Sequence, residues 1–115
     1  MAKYLTLASL ERELRHTLTS STTVRTAVLK SCAEVSMTSQ PHAIRVDTFH
    51  VGLLPACVHE CLHLAHNDAL EYWGDLEEAM TEAAESMIVR YINRSPRRLA
   101  MWRKAISEVI DGQDD

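Results

Sequence analysis

Aromatic side chains are scarce, at 5% of 115 residues, and that limits the core this chain can build. Rings contribute the most buried area per side chain. A small core without them leaves little stability in reserve, so a bound metal could add to the fold as well as to chemistry. Three cysteines are too few and of the wrong parity for a closed disulfide framework. With only three glycines, no Gly/Ser tract and no internal repeat, nothing marks a linker, and residues 1–115 read as one domain. No apolar run approaches the roughly 20 residues that cross a bilayer. The N-terminal "MAKYLTLASLERELRH" becomes charged too soon for a signal peptide. Together these absences predict a cytoplasmic chain in a reducing compartment, with no membrane association. Excess positive charge is missing too: the formal net charge of −4 argues against nucleic acid as a bulk partner. The basic segment at 90–104, with Arg90, Arg94, Arg97, Arg98, Arg103 and Lys104 and no acid, reads as a solvated helix face.

What is present is mostly helical periodicity. Leu7, Leu10, Leu14 and Leu18 mark an amphipathic helix over 6–18, ended by "TSSTT" at 19–23. Val24, Ala27, Val28, Cys32 and Val35 suit a second helix, although Val24, Thr26 and Val28 also alternate as in a strand. After a loop at 36–41, "AIRVDTFHV" alternates with β-branched residues and predicts a strand over 43–51 that ends at Gly52. Pro55 fits the first turn of a helix over about 55–67. Asp75 with Glu78 has the spacing of a capping box, opening a helix whose predicted buried face is Leu76, Met80, Ala83, Ala84, Met87, Ile88 and Tyr91. Ser95 and Pro96 begin a last helix with its stripe at Leu99, Trp102, Ile106 and Val109. The expected fold class is α+β, with about five helices and a short sheet containing 43–51.

The chemistry concentrates in "ACVHECLHLAHND", residues 56–68. Within it His59, Glu60 and His63 form the pattern H-E-x-x-H. On a helix, i and i+4 share a face about 6 Å apart along the axis, so two imidazoles can converge on one Zn²⁺ ion. Glu60, displaced around the helix, is placed to act on a water at the ion's open position. His66 points the same way but lies about 10 Å further along the axis, too far to share an ion with His59. Cys57 and Cys61 are rotated away and read as small packing residues of the core.

A catalytic zinc wants a third protein ligand. No histidine follows His66, so a carboxylate from "LEEAMTEAAES" is expected. With the apolar face centred near Met80 and Met87, Glu78, Glu82 and Glu85 project to the opposite side and Glu77 lies at the edge of the apolar arc. Glu77 is therefore the expected third metal ligand, with Glu78 second.

"HECLH", "LEEAMTEAA" and "INRSPRRLAMW" in this order resemble the small gluzincin-type zincin metallopeptidases encoded by phages and prophages. The resemblance covers roughly residues 43–104. It implies a minimal zincin-like domain with the short sheet beside the active-site helix, His59 and His63 as zinc ligands, Glu60 as catalytic base and an acid of the Glu77–Glu78 pair as third ligand. The chain departs from the longer H-E-x-x-H-x-x-G-x-x-H signature of metzincins and lacks the downstream histidine of DNA-repair-associated zincin proteases. His66, Tyr72 and Tyr91 all remain open as the group stabilising the oxyanion. The expected activity is hydrolysis of peptide bonds by a metal-activated water with Glu60 as general base, acting on a peptide or protein held along the sheet edge "RVDTFHV". The alternative is a catalytically silent, metal-stabilised module that binds a phage or host protein. The oligomeric state is left open.

Overall fold

The computed structural model describes residues 6–36, 38–70 and 75–113, with the backbone alone at 66–70, 75 and 111–113. Helix α1, Leu7–Ser21, begins where Thr6 forms a capping box: its hydroxyl accepts the Ser9 N–H at 3.0 Å, and its own N–H donates to the Ser9 hydroxyl at 3.3 Å. Leu14 and Leu18 are its fully buried residues. The helix ends without a glycine. The Thr22 hydroxyl donates to the Leu18 carbonyl at 2.6 Å, satisfying one of the terminal acceptors.

Thr22 also starts β1, Thr22–Thr26, which is followed by β2, Ala33–Val35, and β3, His42–Val46. The helix expected over 24–35 is therefore two strands and a loop. "TTVRT" is dense in β-branched residues, and β1 pairs residue for residue with β3, from Thr22 opposite His42 to Thr26 opposite Val46. That long-range parallel ladder outweighs a helical pattern that was equally present locally. The expected strand over 43–51 is shorter, ending at Val46. Asp47 turns the chain, its carboxylate accepting the N–H of Phe49 at 3.1 Å and of Leu29 at 3.2 Å.

Three further helices follow: α2, Leu53–Leu70; α3, Asp75–Asn93; and α4, Pro96–Val109. The described residues thus hold four α-helices rather than about five, the difference being the 24–35 segment. As expected, Ser95 caps α4, its hydroxyl accepting the Arg98 N–H at 3.2 Å with Pro96 at the first helical position. The capping box expected between Asp75 and Glu78 lies outside the described residues, because the Asp75 side chain does. A last strand, β4, Ile110–Gln113, completes a four-stranded sheet in the order β2-β3-β1-β4, with β2 antiparallel to β3 and the other pairs parallel. The fold class is α+β, mostly helical, with a short sheet.

Helix α2 runs through the middle. Ala56, Cys57, Val58, Glu60, Cys61 and Leu62 are all buried, so it is enclosed on nearly every side, as a helix apolar almost all round must be. It packs on the sheet, on α1 and on the pair α3–α4, in a core shared with Val24, Ile44, Val46, Ile88, Ile92 and Trp102. Cys57 and Cys61 sit in that core, and burial pushes the Cys57 thiol up to about 12 and the Cys61 thiol well above its ordinary value. Both pack as small apolar residues. The Trp102 indole donates to the Glu11 carboxylate at 3.1 Å, and Arg15 donates to the same oxygen at 2.9 Å, tying α4 to α1. No helix among the described residues is long and apolar enough to cross a membrane.

Candidate metal centre

The two histidines of α2 stand one turn apart on the face that meets α3. Their ring centroids are 4.9 Å apart and their Nε2 atoms 3.2 Å apart. Neither is free in solvent: the side chains are 17% and 16% exposed. Glu78 reaches both from α3, with one carboxylate oxygen 2.9 Å from His59 Nε2 and the other 3.1 Å from His63 Nε2. The opposite ring nitrogens are engaged as well. Glu85 lies 2.6 Å from His59 Nδ1, and Glu77 lies 3.1 Å from His63 Nδ1.

This pattern has a direct chemical reading. A carboxylate at Nδ1 accepts the proton there and so fixes the tautomer, leaving the Nε2 lone pair available. Two such lone pairs and the Glu78 carboxylate then face one another across about 3 Å. Three electron-rich groups so placed repel unless a cation or shared protons lie between them. Zinc ligands at 2.0–2.1 Å in a tetrahedral arrangement stand about 3.3 Å from one another, close to the separations of 2.9, 3.1 and 3.2 Å here. His59, His63 and Glu78 form the group among the described residues that could hold a metal ion.

The expected ligand Glu77 thus lies against the far nitrogen of His63, and the acid facing both Nε2 atoms is Glu78. The cause is the orientation of α3. Of the residues taken as its inner face Ile88 is buried, but Leu76, Met80 and Met87 are 57%, 42% and 54% exposed, while Thr81 and Ile92, which were not among them, are buried. The true inner face is rotated away from the methionines, which carries Glu77, Glu78 and Glu85 toward α2. Glu85, projected outward by the same misplacement, was missed. One signal could have found it: Glu78 and Glu85 are seven residues apart and so share a face over two turns, which turns both toward the same neighbouring helix.

Glu60, 4% exposed, lines a cleft of about 510 Å³ with His59, Glu78, Glu82 and Glu85 on one side and Ser31, Cys32 and Ala33 on the other. Burial raises its carboxyl above the ordinary value, outweighing the opposite pull of His59 and His63. For His59 burial acts to lower the pKa. The hydrogen bond to Glu85 and the charges of Glu60, Glu78 and Glu85 overcome it, so the net shift is upward. A group with a raised folded pKa binds its proton more tightly when folded, and its contribution to stability is lost as pH rises through that value. For metal-free protein the window opens above 4.5 for Glu60 and above 6.5 for His59. Thermal melts of metal-free chain should therefore show falling stability from mildly acidic to neutral pH. Glu60→Gln, which removes one of the two groups, should give a shallower slope; an unchanged slope would contradict the burial argument.

The remaining expectations divide. The side chains of His66 and Tyr72 lie outside the described residues. Tyr91 is thirteen residues along α3 from Glu78, about 20 Å, and its ring is stacked under the Arg98 guanidinium at 3.7 Å, so it is not brought to the centre. "RVDTFHV" is not a sheet edge: β3 lies between β2 and β1, and β2 is the edge strand, with Ala33 at the cleft. No protein-family model, curated protein or solved structure matches the chain.

Proposed function

We propose that the chain is a zinc-dependent metallopeptidase of zincin type, with His59, His63 and Glu78 as the ligand set and Glu60 as general base. The observation that carries this reading is the convergence of two Nε2 atoms and one carboxylate, each imidazole backed at Nδ1 by a second acid. Such carboxylate–histidine pairs orient and enrich metal-ligating imidazoles. Glu77 belongs in this reading as the orienting partner of His63, and Glu85 as that of His59. A bound zinc ion would supply Lewis acidity, polarising a scissile carbonyl and easing the ionisation of a water. Glu60 takes the proton of the attacking water and returns it to the leaving amine, a role that its raised proton affinity and its place on the cleft wall both suit. An extended peptide would lie along the outer edge of β2, its backbone pairing with that strand and its scissile bond facing the cleft. The substrate is a peptide or protein, and the setting is the cytoplasm.

The test is metal analysis of untagged protein after reconstitution, together with a peptide library. About one zinc per chain, and cleavage that a chelator abolishes, is the expected result. Zinc content near zero would overturn the proposal. Zinc that raises the melting temperature without any turnover would replace the peptidase with a metal-stabilised interaction module.

A further inference from the structure

We propose that the cleft beside the metal centre selects peptides with a lysine or arginine close to the bond held at the metal, and that Glu82 recognises it. This rests on the peptidase reading above and names the substrate class for the same site. Among the residues lining the cleft are four carboxylates, Glu60, Glu78, Glu82 and Glu85, and no lysine or arginine. Three of the four have tasks at the centre. Glu78 faces both Nε2 atoms, Glu85 lies against His59 Nδ1, and Glu60 is the general base. Glu82, exposed on the same wall, takes no part in those contacts. Two positive charges on a bound zinc ion would still leave the cleft acidic. A cationic side chain is therefore favoured there and an anionic one repelled.

Spacing sets how close the cation must lie. Glu82 follows Glu78 by four residues, so it stands one turn on, about 6 Å further along the axis and on nearly the same side. That is about the length of two residues of extended chain. A peptide bond placed at the ion that Glu78 would hold thus puts side chains within two residues of it in reach of Glu82. The rest of the cleft suits the stem of such a side chain. Val51, Pro55 and Ala56 give it an apolar lining, and the wall formed by Ser31, Cys32 and Ala33 holds no carboxylate. Lysine and arginine lay their methylenes on apolar surface while the charged head stays at a polar edge. A short apolar side chain would use the lining alone, and an acidic one would meet the carboxylates.

The test uses octapeptides capped at both ends, identical except for lysine, methionine or glutamate at one scanned position. Capping removes the terminal amine as a rival cation. At one position within two residues of the cleaved bond, lysine should raise kcat/KM about fivefold over methionine, the upper range for a solvent-screened ion pair. Glutamate should lower it, and added salt should shrink the difference. Glu82→Gln should abolish the preference for lysine, and Glu82→Lys should reverse it in favour of glutamate. Fluorescence anisotropy of the same peptides on the zinc-reconstituted Glu60→Gln chain reads selection without turnover. The same order of binding, with no cleavage by the wild-type chain, would uphold the selection and overturn the peptidase alone. Lysine and glutamate peptides that bind equally, or not at all, overturn the inference, as does a preference for lysine that survives Glu82→Lys.

Discussion

Replacing Glu60 with glutamine is expected to leave zinc bound and to slow peptide hydrolysis by about 10²–10⁴-fold, the usual contribution of a positioned general base. That is about 3–5 kcal/mol of transition-state stabilisation. Glutamine keeps the size and shape of the side chain but cannot take a proton from water at neutral pH. None of the three donors facing one another between α2 and α3 is altered. Stability should move in the opposite direction to activity. Glu60 is 4% exposed, and burial raises its carboxyl above the ordinary value. Its ionised form is therefore held at a desolvation cost that the neutral amide avoids. A higher melting temperature together with lost turnover and intact zinc stoichiometry is the signature of a functional acid kept in a costly place. A residue that served only the fold would lower both, and loss of zinc on this substitution would place Glu60 among the ligands. Mass-spectrometric peptide turnover, metal analysis and a thermal melt on one preparation separate these outcomes.

How far the site could be read in advance follows from which interactions are local. His59 and His63 meet because they are one turn apart on a helix, a relation contained in five consecutive residues. The cap of α4 is local in the same way, made by Ser95 on the third residue after it. The segment from 24 to 35 was not legible, because its apolar residues satisfy both a helical and an alternating period. What decides for the strand is a ladder to His42–Val46, some twenty residues away. The order of strands is less local still, and it moves the free edge from "RVDTFHV" to Ala33–Val35.

Helix α3 fails for a more instructive reason. It has two faces that could be inner ones: Leu76, Met80, Ala83 and Met87, or Thr81, Ala84, Ile88 and Ile92. The face predicted from the sequence, centred near Met80 and Met87, takes residues from both, Ala84 and Ile88 among them. The fold uses the second because its flanks carry Glu77, Glu78 and Glu85, which the histidines of α2 satisfy with hydrogen bonds. Carboxylates turned inward look like a solvent face when a single helix is read alone. Their partners lie on another helix, so the acids and the histidines could be placed only as a set.

That set yields the sharpest ordering among the acids of α3. Glu78→Ala is expected to weaken zinc binding the most, since it deletes the only carboxylate among the described residues that faces both Nε2 atoms. Glu77→Ala and Glu85→Ala each remove a group at Nδ1 of one histidine, at 3.1 and 2.6 Å, and leave the three facing donors in place. Loss of such an orienting carboxylate weakens metal affinity by about 10–100-fold. Of these two, Glu85→Ala should cost more, because its contact is shorter and it helps hold His59 in place from the far side of the ring. Glutamine at 77 or 85 keeps a carbonyl to accept the Nδ1 proton and should restore part of the affinity, whereas glutamine at 78 offers zinc only a neutral oxygen and should not. Competition against a chromophoric chelator measures all six variants on one scale. If Glu77→Ala proved the most damaging and Glu78→Ala nearly silent, the register of α3 at the centre would be one residue away from the arrangement described, and Glu77 would be the ligand. The metal-free melts discriminate further: Glu78 is 55% exposed, so its loss should leave the unliganded fold nearly unchanged. An affinity that falls without a matching fall in metal-free stability locates the defect at the ion itself.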